Sequence, residues 1–161
     1  LQMEPQLLTE VFDEALRHVD RQVKDHVVHA EVKDELLMAK MDVHLIIQVI
    51  INIVNNAIKY TPVGSEINLS AYRKGDWVYI QIADNGLGMD DEIKKHLFDM
   101  FYTAYQGKGD NRRGLGLGLN LCKSIVMAHG GKISVSDNAP QGAVFTVTLP
   151  WEKVDIRSSD C

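Results

Sequence analysis

The stretch from Asp42 to Tyr60 constrains everything around it. Read at about 100° per residue, it forms a helix that is apolar on almost every side, through Val43, Leu45, Ile46, Ile47, Val49, Ile50, Ile51, Ile53, Val54 and Ile58. One stripe breaks the pattern. Gln48, Asn52, Asn55, Asn56 and Lys59 fall within about a third of the circumference. Asparagine is a poor helix former because its amide competes for backbone hydrogen bonds, and a buried amide without partners costs about 1–3 kcal/mol. A merely solvated face would carry Glu, Lys and Arg rather than three Asn. The stripe therefore reads as the wall of a pocket for a polar ligand, with amide oxygens suited to a hard metal ion and Lys59 to an anion.

The 161 residues fit one domain, long enough to bury a core without metal or disulfide staples. Cys122, in an expected helix, and Cys161, the last residue, do not read as a disulfide framework, which points to a reducing compartment. A net charge of −5 argues against a nucleic-acid-binding domain. No apolar run approaches the roughly 18 residues of a membrane span, and no signal peptide is visible. Because the chain opens on Leu1, it reads as a cytoplasmic piece of a longer, membrane-bound protein, with no direct membrane contact of its own.

The apolar spacing of Leu7, Leu8, Val11, Phe12, Ala15, Leu16 and Val19 predicts an amphipathic helix over residues 6–20. Val27 to Val32 and Leu36 to Ala39 read as a strand pair, after which Asp42 caps the long helix. Pro62 and Gly64 end that helix. Residues 66–73 and 77–83 alternate apolar and polar around Lys74, Gly75 and Asp76, as a hairpin does. Residues 91–98 suit a short helix and 102–116 a mobile loop. Leu117 to Ala128 reads as a second long helix, stopped by His129, Gly130 and Gly131, with His129 a helix-end residue. Lys132 to Ser136 and Ala143 to Leu149 complete the strands. The expected fold is an α/β sandwich, with three helices on one face of a mixed sheet. One domain spans residues 1–150, and residues 151–161 form a polar tail.

Two glycine-rich segments carry further chemistry. Asp84-Asn85-Gly86-Leu87-Gly88 follows a strand, so the glycines allow positive φ and close approach of a ligand, while Asp84 offers a carboxylate acceptor. Arg112-Arg113-Gly114-Leu115-Gly116-Leu117-Gly118-Leu119 opens a helix, where free N–H groups and the helix dipole favour an anion. No Gly-Lys-Ser/Thr follows, so this is not a Walker A loop, and no strand precedes it as a dinucleotide fingerprint requires. Lys108, Arg112 and Arg113 add guanidinium and ammonium groups matched to phosphate.

In order and spacing these segments resemble the boxes of sensor histidine kinases. Asn52 to Tyr60 resembles the N box, Asp84-x-Gly86-x-Gly88 the G1 box, Phe98 to Phe101 the F box, and Gly114-x-Gly116-x-Gly118-Leu119 the G2 box. His129-Gly130-Gly131 and Gly142-x-x-Phe145 follow where that family has them. Phe101 to Ala104 and Asn111 to Ile125 further resemble the potassium-sensing branch. The resemblance implies a Bergerat-type ATP-binding fold whose mixed sheet is mostly antiparallel, with ATP and Mg²⁺ as ligands. By it, Asp84 accepts the adenine amino group, and Gly86 and Gly88 shape the pocket. Asn56 ligates Mg²⁺ with Asn52 in support, Lys59 contacts phosphate, and Tyr60 lies near adenine and ribose. Gly114, Gly116, Leu117, Gly118 and Leu119 hold the phosphates through their backbone. Arg112 or Arg113 reaches the γ-phosphate when the lid closes, and Phe98 and Phe101 anchor the lid.

Relatives of the same superfamily that hydrolyse ATP carry Glu where this chain has Asn52, so a hydrolytic base is missing. Phosphoryl transfer needs mostly positioning and charge neutralisation, so the nucleophile can come from elsewhere. The family implies a histidine on a separate dimerisation domain, then a response regulator. None of the six His here has the family's His-Glu-x-x-x-Pro setting. An anti-sigma-factor-like serine kinase and a nucleotide-gated interaction module are the alternatives that share the fold.

Gly107, Gly109, Gly114 and Gly116 leave residues 102–116 little with which to offset an ordering cost of about 1–2 kcal/mol per residue. A non-hydrolysable ATP analogue should slow amide exchange there more than ADP does, and Arg112→Ala with Arg113→Ala should erase the difference. Exchange that is equally slow without nucleotide would defeat this expectation.

Overall fold

The computed structural model describes residues 1–19, 25–99 and 114–152, and of residues 114–117 the backbone. The described strands are β1 (Glu4–Leu7), β2 (Val27–Val32), β3 (Met38–Met41), β4 (Glu66–Lys74), β5 (Trp77–Asp84), β6 (Ile133–Asp137) and β7 (Ala143–Glu152). The helices are α1 (Leu8–Val19), α2 (Val43–Tyr60), α3 (Asp91–His96) and α4 (Gly114–Ala128).

The period-two alternation of β4, β5 and β7 decides which face of the sheet is covered. Ile67, Leu69 and Ala71, with Val78, Ile80 and Ile82, and with Phe145, Val147 and Leu149, are all buried on one side. Polar Asn68, Ser70, Gln81, Thr146 and the stacked Tyr72 and Tyr79 alternate with them. Helices α1 and α4 flank α2, and one apolar core joins all three helices to the sheet. The strands run β1-β3-β7-β5-β4-β2, with β6 also on β7. All described pairings are antiparallel except that of β2 with β4. The α/β sandwich with a mixed, mostly antiparallel sheet is therefore present.

Several details differ from the sequence reading. β2 and β3 do not pair. β2 runs parallel to β4, with Val28 opposite Ile67, whereas β3 lies between β1 and the end of β7. β1 precedes α1 and carries Pro5, which is tolerated because β1 is an edge strand. β7 continues through Trp151 and Glu152, past the expected boundary at 150, and the Arg73 guanidinium lies 3.3 Å from the centroid of the Trp151 ring. Residues 153–161 fall outside the described part. α4 begins at Gly114, three residues earlier than read. By length and composition α2 does qualify as a membrane-spanning helix, contrary to the reading that no apolar run comes close. Here it is the core helix, with Ile46, Val49, Ile53 and Val54 fully buried.

Asp42 stands at the N-cap of α2 without capping through its side chain. Its carboxylate instead accepts from the Gln2 N–H at 3.1 Å. Its own N–H donates to His129 Nε2 at 3.0 Å, while His129 Nδ1 lies 2.7 Å from the Ile125 carbonyl oxygen. A backbone N–H only donates and a carbonyl only accepts, so His129 is the neutral Nδ1–H tautomer. This buried ring joins the end of α4 to the start of α2. Replacing it (His129→Ala) leaves the half-buried Asp42 N–H without its acceptor and should cost about 1–3 kcal/mol, read as a lower urea midpoint at unchanged slope. An unshifted midpoint would show that the ring contributes nothing.

Candidate nucleotide-binding site

The site begins where β5 ends. Antiparallel pairing with β4 and β7 carries the chain to Asp84, whose side chain is buried at the edge of the core. Its Oδ1 accepts from the N–H groups of Gly86 at 3.0 Å and Ala143 at 3.3 Å. Asn138 Nδ2 donates to the Asp84 carbonyl at 2.7 Å. Burial pushes the Asp84 carboxyl pKa above the usual range, opposed by the two backbone N–H groups. No hydrogen bond to Oδ2 is present among the described residues, so that oxygen is available to a donor from a ligand.

The neighbouring glycines are required for different reasons. Gly88 adopts φ +77°, a left-handed conformation that favours glycine. At Gly86 the constraint is space, since a Cβ would lie 2.6 Å from Thr61 Cγ2 and 3.2 Å from Asp84 Oδ1. Gly142, with φ +113°, passes so close that a Cβ would meet the Asp84 carbonyl oxygen at 1.9 Å. The turn after β5 is thus clamped between the start of β7 and the residue that ends α2.

On α2, Asn56 is 6% exposed, and its Oδ1 has no hydrogen-bond partner among the described residues. Asn55 Oδ1 is likewise buried without one. Asn52 faces α4, where its Nδ2 donates to Cys122 Sγ at 3.7 Å, and Gln48 Nε2 reaches Asn52 Oδ1 at 3.5 Å. Burial raises the Cys122 thiol pKa to about 11. Lys59 is exposed and Tyr60 half-buried.

In α4 the first-turn amides, including those of Gly114 and Gly116, lack intrahelical acceptors, whereas Gly118 and Leu119 lie in the second turn. The Leu119 side chain belongs to the core, and the Gly118 and Leu119 N–H groups donate within the helix to the carbonyls of Gly114 and Leu115, so the free donors are those of the first turn. Phe98 packs edge-on against Phe145 at 6.1 Å, and its carbonyl accepts from Asn120 Nδ2 at 3.0 Å. Lys108, Arg112, Arg113, Phe101 and residues 102–113 lie outside the described residues. Sequence reasoning assigned no role to Thr61, Asn138, Ala143 or Cys122. Only Gly142, quoted for its spacing to Phe145, signalled that this part of the chain returns to the site.

A family described as histidine kinase-, DNA gyrase B- and HSP90-like ATPase matches residues 41–153. The chain is 42% identical over 147 residues to sensor protein KdpD of Clostridium acetobutylicum, covering 91% of this chain and 16% of that protein. It is 40% identical over 120 residues to the alginate biosynthesis sensor protein KinB of Pseudomonas aeruginosa, covering 74% and 20%. The catalytic domain of histidine kinase ThkA superposes with a TM-score of 0.81 at 27% identity, covering 93% of this chain and 96% of that one. The chain thus spans about a sixth to a fifth of the length of these two sensor proteins. The chain belongs to the family of histidine kinase-, DNA gyrase B- and HSP90-like ATPases, and within it is an ATP-binding catalytic domain of the sensor histidine kinase type.

Asp84→Asn separates the cost of the site from its use. A raised carboxyl pKa means that the folded state holds its proton more tightly than the unfolded chain does. The stability this confers is full below the unfolded pKa and is lost as pH rises through the folded one. Above that range the ionised carboxylate is therefore a net burden on the nucleotide-free protein. The variant should melt no lower than wild type, yet bind ADP roughly ten- to a hundredfold more weakly, for a lost charge-assisted bond of about 1.5–3 kcal/mol. Unchanged affinity by calorimetry would remove Asp84 from the site.

Proposed function

We propose that this domain transfers the ATP γ-phosphate to a histidine on a separate helical dimerisation domain, from which a response regulator is phosphorylated. The observation that carries this reading is the environment of Asn52. It stands where ATP-hydrolysing relatives carry Glu, and its amide contacts the protonated thiol of Cys122. Neither group can deprotonate water near pH 7. Positioning and charge stabilisation remain, which suffice when the nucleophile is supplied by another domain.

Within this reading Asp84 Oδ2 accepts the adenine amino group, in a pocket shaped by Gly86 and Gly88 and flanked by Tyr60. Asn56 suits Mg²⁺, because a buried amide oxygen without a partner among the described residues is a hard donor of the kind that ion takes. Bound there, Mg²⁺ would supply charge neutralisation at the phosphates. Lys59 contributes a second positive charge. Free first-turn backbone N–H groups of Gly114 and Gly116 hold phosphate oxygens, with Leu117, Gly118 and Leu119 continuing the helix behind them, and Arg112 or Arg113 reaches the γ-phosphate. Support for the regulator as partner comes from ThkA, whose structure in complex with response regulator TrrA superposes with a TM-score of 0.77 at 26% identity, covering 93% of this chain and 42% of that one. Membership of the potassium-sensing branch is supported by the identity to KdpD, and attachment to a membrane rests on the rest of the protein.

The test combines this chain, ATP and Mg²⁺ with the separately produced acceptor domain. A phosphoryl group stable in base and lost in acid should appear on the acceptor. Asn56→Ala should abolish both transfer and the Mg²⁺-dependent part of ATP affinity, while metal-free ADP binding stays nearly intact. Free phosphate without phosphohistidine would overturn the transfer reading, and equal losses with and without Mg²⁺ would make Asn56 structural.

A further inference from the structure

Three residues separated in sequence meet behind the turn that carries Asp84. Thr61 is the C-cap of α2, in extended conformation. Its Oγ1 lies 2.6 Å from the Ala57 carbonyl oxygen, one turn back, and 2.8 Å from His26 Nε2. A hydroxyl has one proton to give, and the Ala57 carbonyl can only accept. The Thr61 proton therefore goes to Ala57, and His26 Nε2–H donates to Thr61 Oγ1. These two bonds set the Thr61 rotamer. In it, Cγ2 lies where it would come within 2.6 Å of any Cβ at residue 86, and the Gly86 N–H in turn binds Asp84 Oδ1 at 3.0 Å.

The segment bearing His26 is itself fixed to the same loop. The Gly64 N–H donates to the Asp25 carbonyl at 2.6 Å, and the Val27 N–H to the Ser65 carbonyl at 3.1 Å. Val27 then opens the parallel pairing of β2 with β4. His26 is thus held on both sides by backbone bonds to the loop that follows α2, and its ring reaches back to the end of that helix.

We propose that His26 is a positioning residue for nucleotide binding. By donating to Thr61 it holds the Thr61 methyl group against Gly86, and so keeps the Asp84 carboxylate aimed at the base of the nucleotide. The proposal rests on the reading of Asp84 as the adenine acceptor. Its consequence is that the orientation of the pocket depends on β2, a strand that contributes no group to the ligand.

The test measures ADP binding to this chain by calorimetry, well below the melting temperature. Removing one positioning hydrogen bond should weaken ADP about fivefold, half a decade or more on a scale of 1.4 kcal/mol per decade. His26→Ala should show that loss. His26→Gln places an amide N–H near the Nε2 position and should restore most of the affinity, which a purely structural role for the ring would not predict. Thr61→Val keeps the methyl bulk without the hydroxyl and serves where His26→Ala does not fold. It should cost a similar factor, and combining it with His26→Ala should cost no more than either change alone. Wild-type affinity in both single variants, with Asp84→Asn still weakened, would overturn the role of His26 alone. A loss in His26→Ala that His26→Gln does not restore would do the same. Wild-type affinity in Asp84→Asn would overturn the adenine reading, and this proposal with it.

Discussion

Burial of α2 is the constraint that the rest of the structure meets. A helix with apolar groups on nearly every side needs cover on nearly every side. α1 lies along one flank, α4 along another, and β5 runs beneath. The His129 ring then joins α4 to the N-terminus of the same helix, where the Asp42 N–H would otherwise lack an intrahelical partner. What remains uncovered by apolar groups is the amide stripe. Asn52 meets a thiol, and the oxygens of Asn55 and Asn56 meet no donor among the described residues. The cost of leaving them so is tolerable only because burial of the rest of α2 is large.

The second half of the candidate site carries a desolvated carboxyl group. Asp84 keeps a carboxylate at the margin of the core, and the N–H groups of Gly86 and Ala143 offset only part of the desolvation. Those two donors come from separate segments, one from the turn after β5 and one from the start of β7. Gly142 permits the second approach, because any side chain there would collide with the backbone of Asp84. Asp84 Oδ1 is held in place by those two donors, whereas Oδ2 accepts no hydrogen bond among the described residues.

Thr61 connects the two halves. It ends the amide-bearing helix and packs against the glycine that orients the carboxylate. A contact of this kind transmits position rather than charge, and it ties the spacing between the α2 amides and the Asp84 carboxylate to the helix terminus.

Much was already determined by the sequence alone. The period of α2, the alternation of β4, β5 and β7, and the ordered Asn, Asp and Gly motifs are local patterns, and local patterns report local geometry and the face that is buried. The identities of Asn56 and Asp84 as polar groups at the core margin followed from the same logic. Strand partnership did not. β2 and β3 are adjacent in the chain and short, yet β2 joins β4 in parallel and β3 joins β7, because an edge of backbone N–H and C=O groups carries no mark of its partner. Only the tertiary structure decided that Ala143 donates to Asp84, that Cys122 faces Asn52, and that His26 reaches Thr61. Each of these joins residues 35 or more positions apart in the chain, so it depends on how the layers stack rather than on the pattern of any one segment.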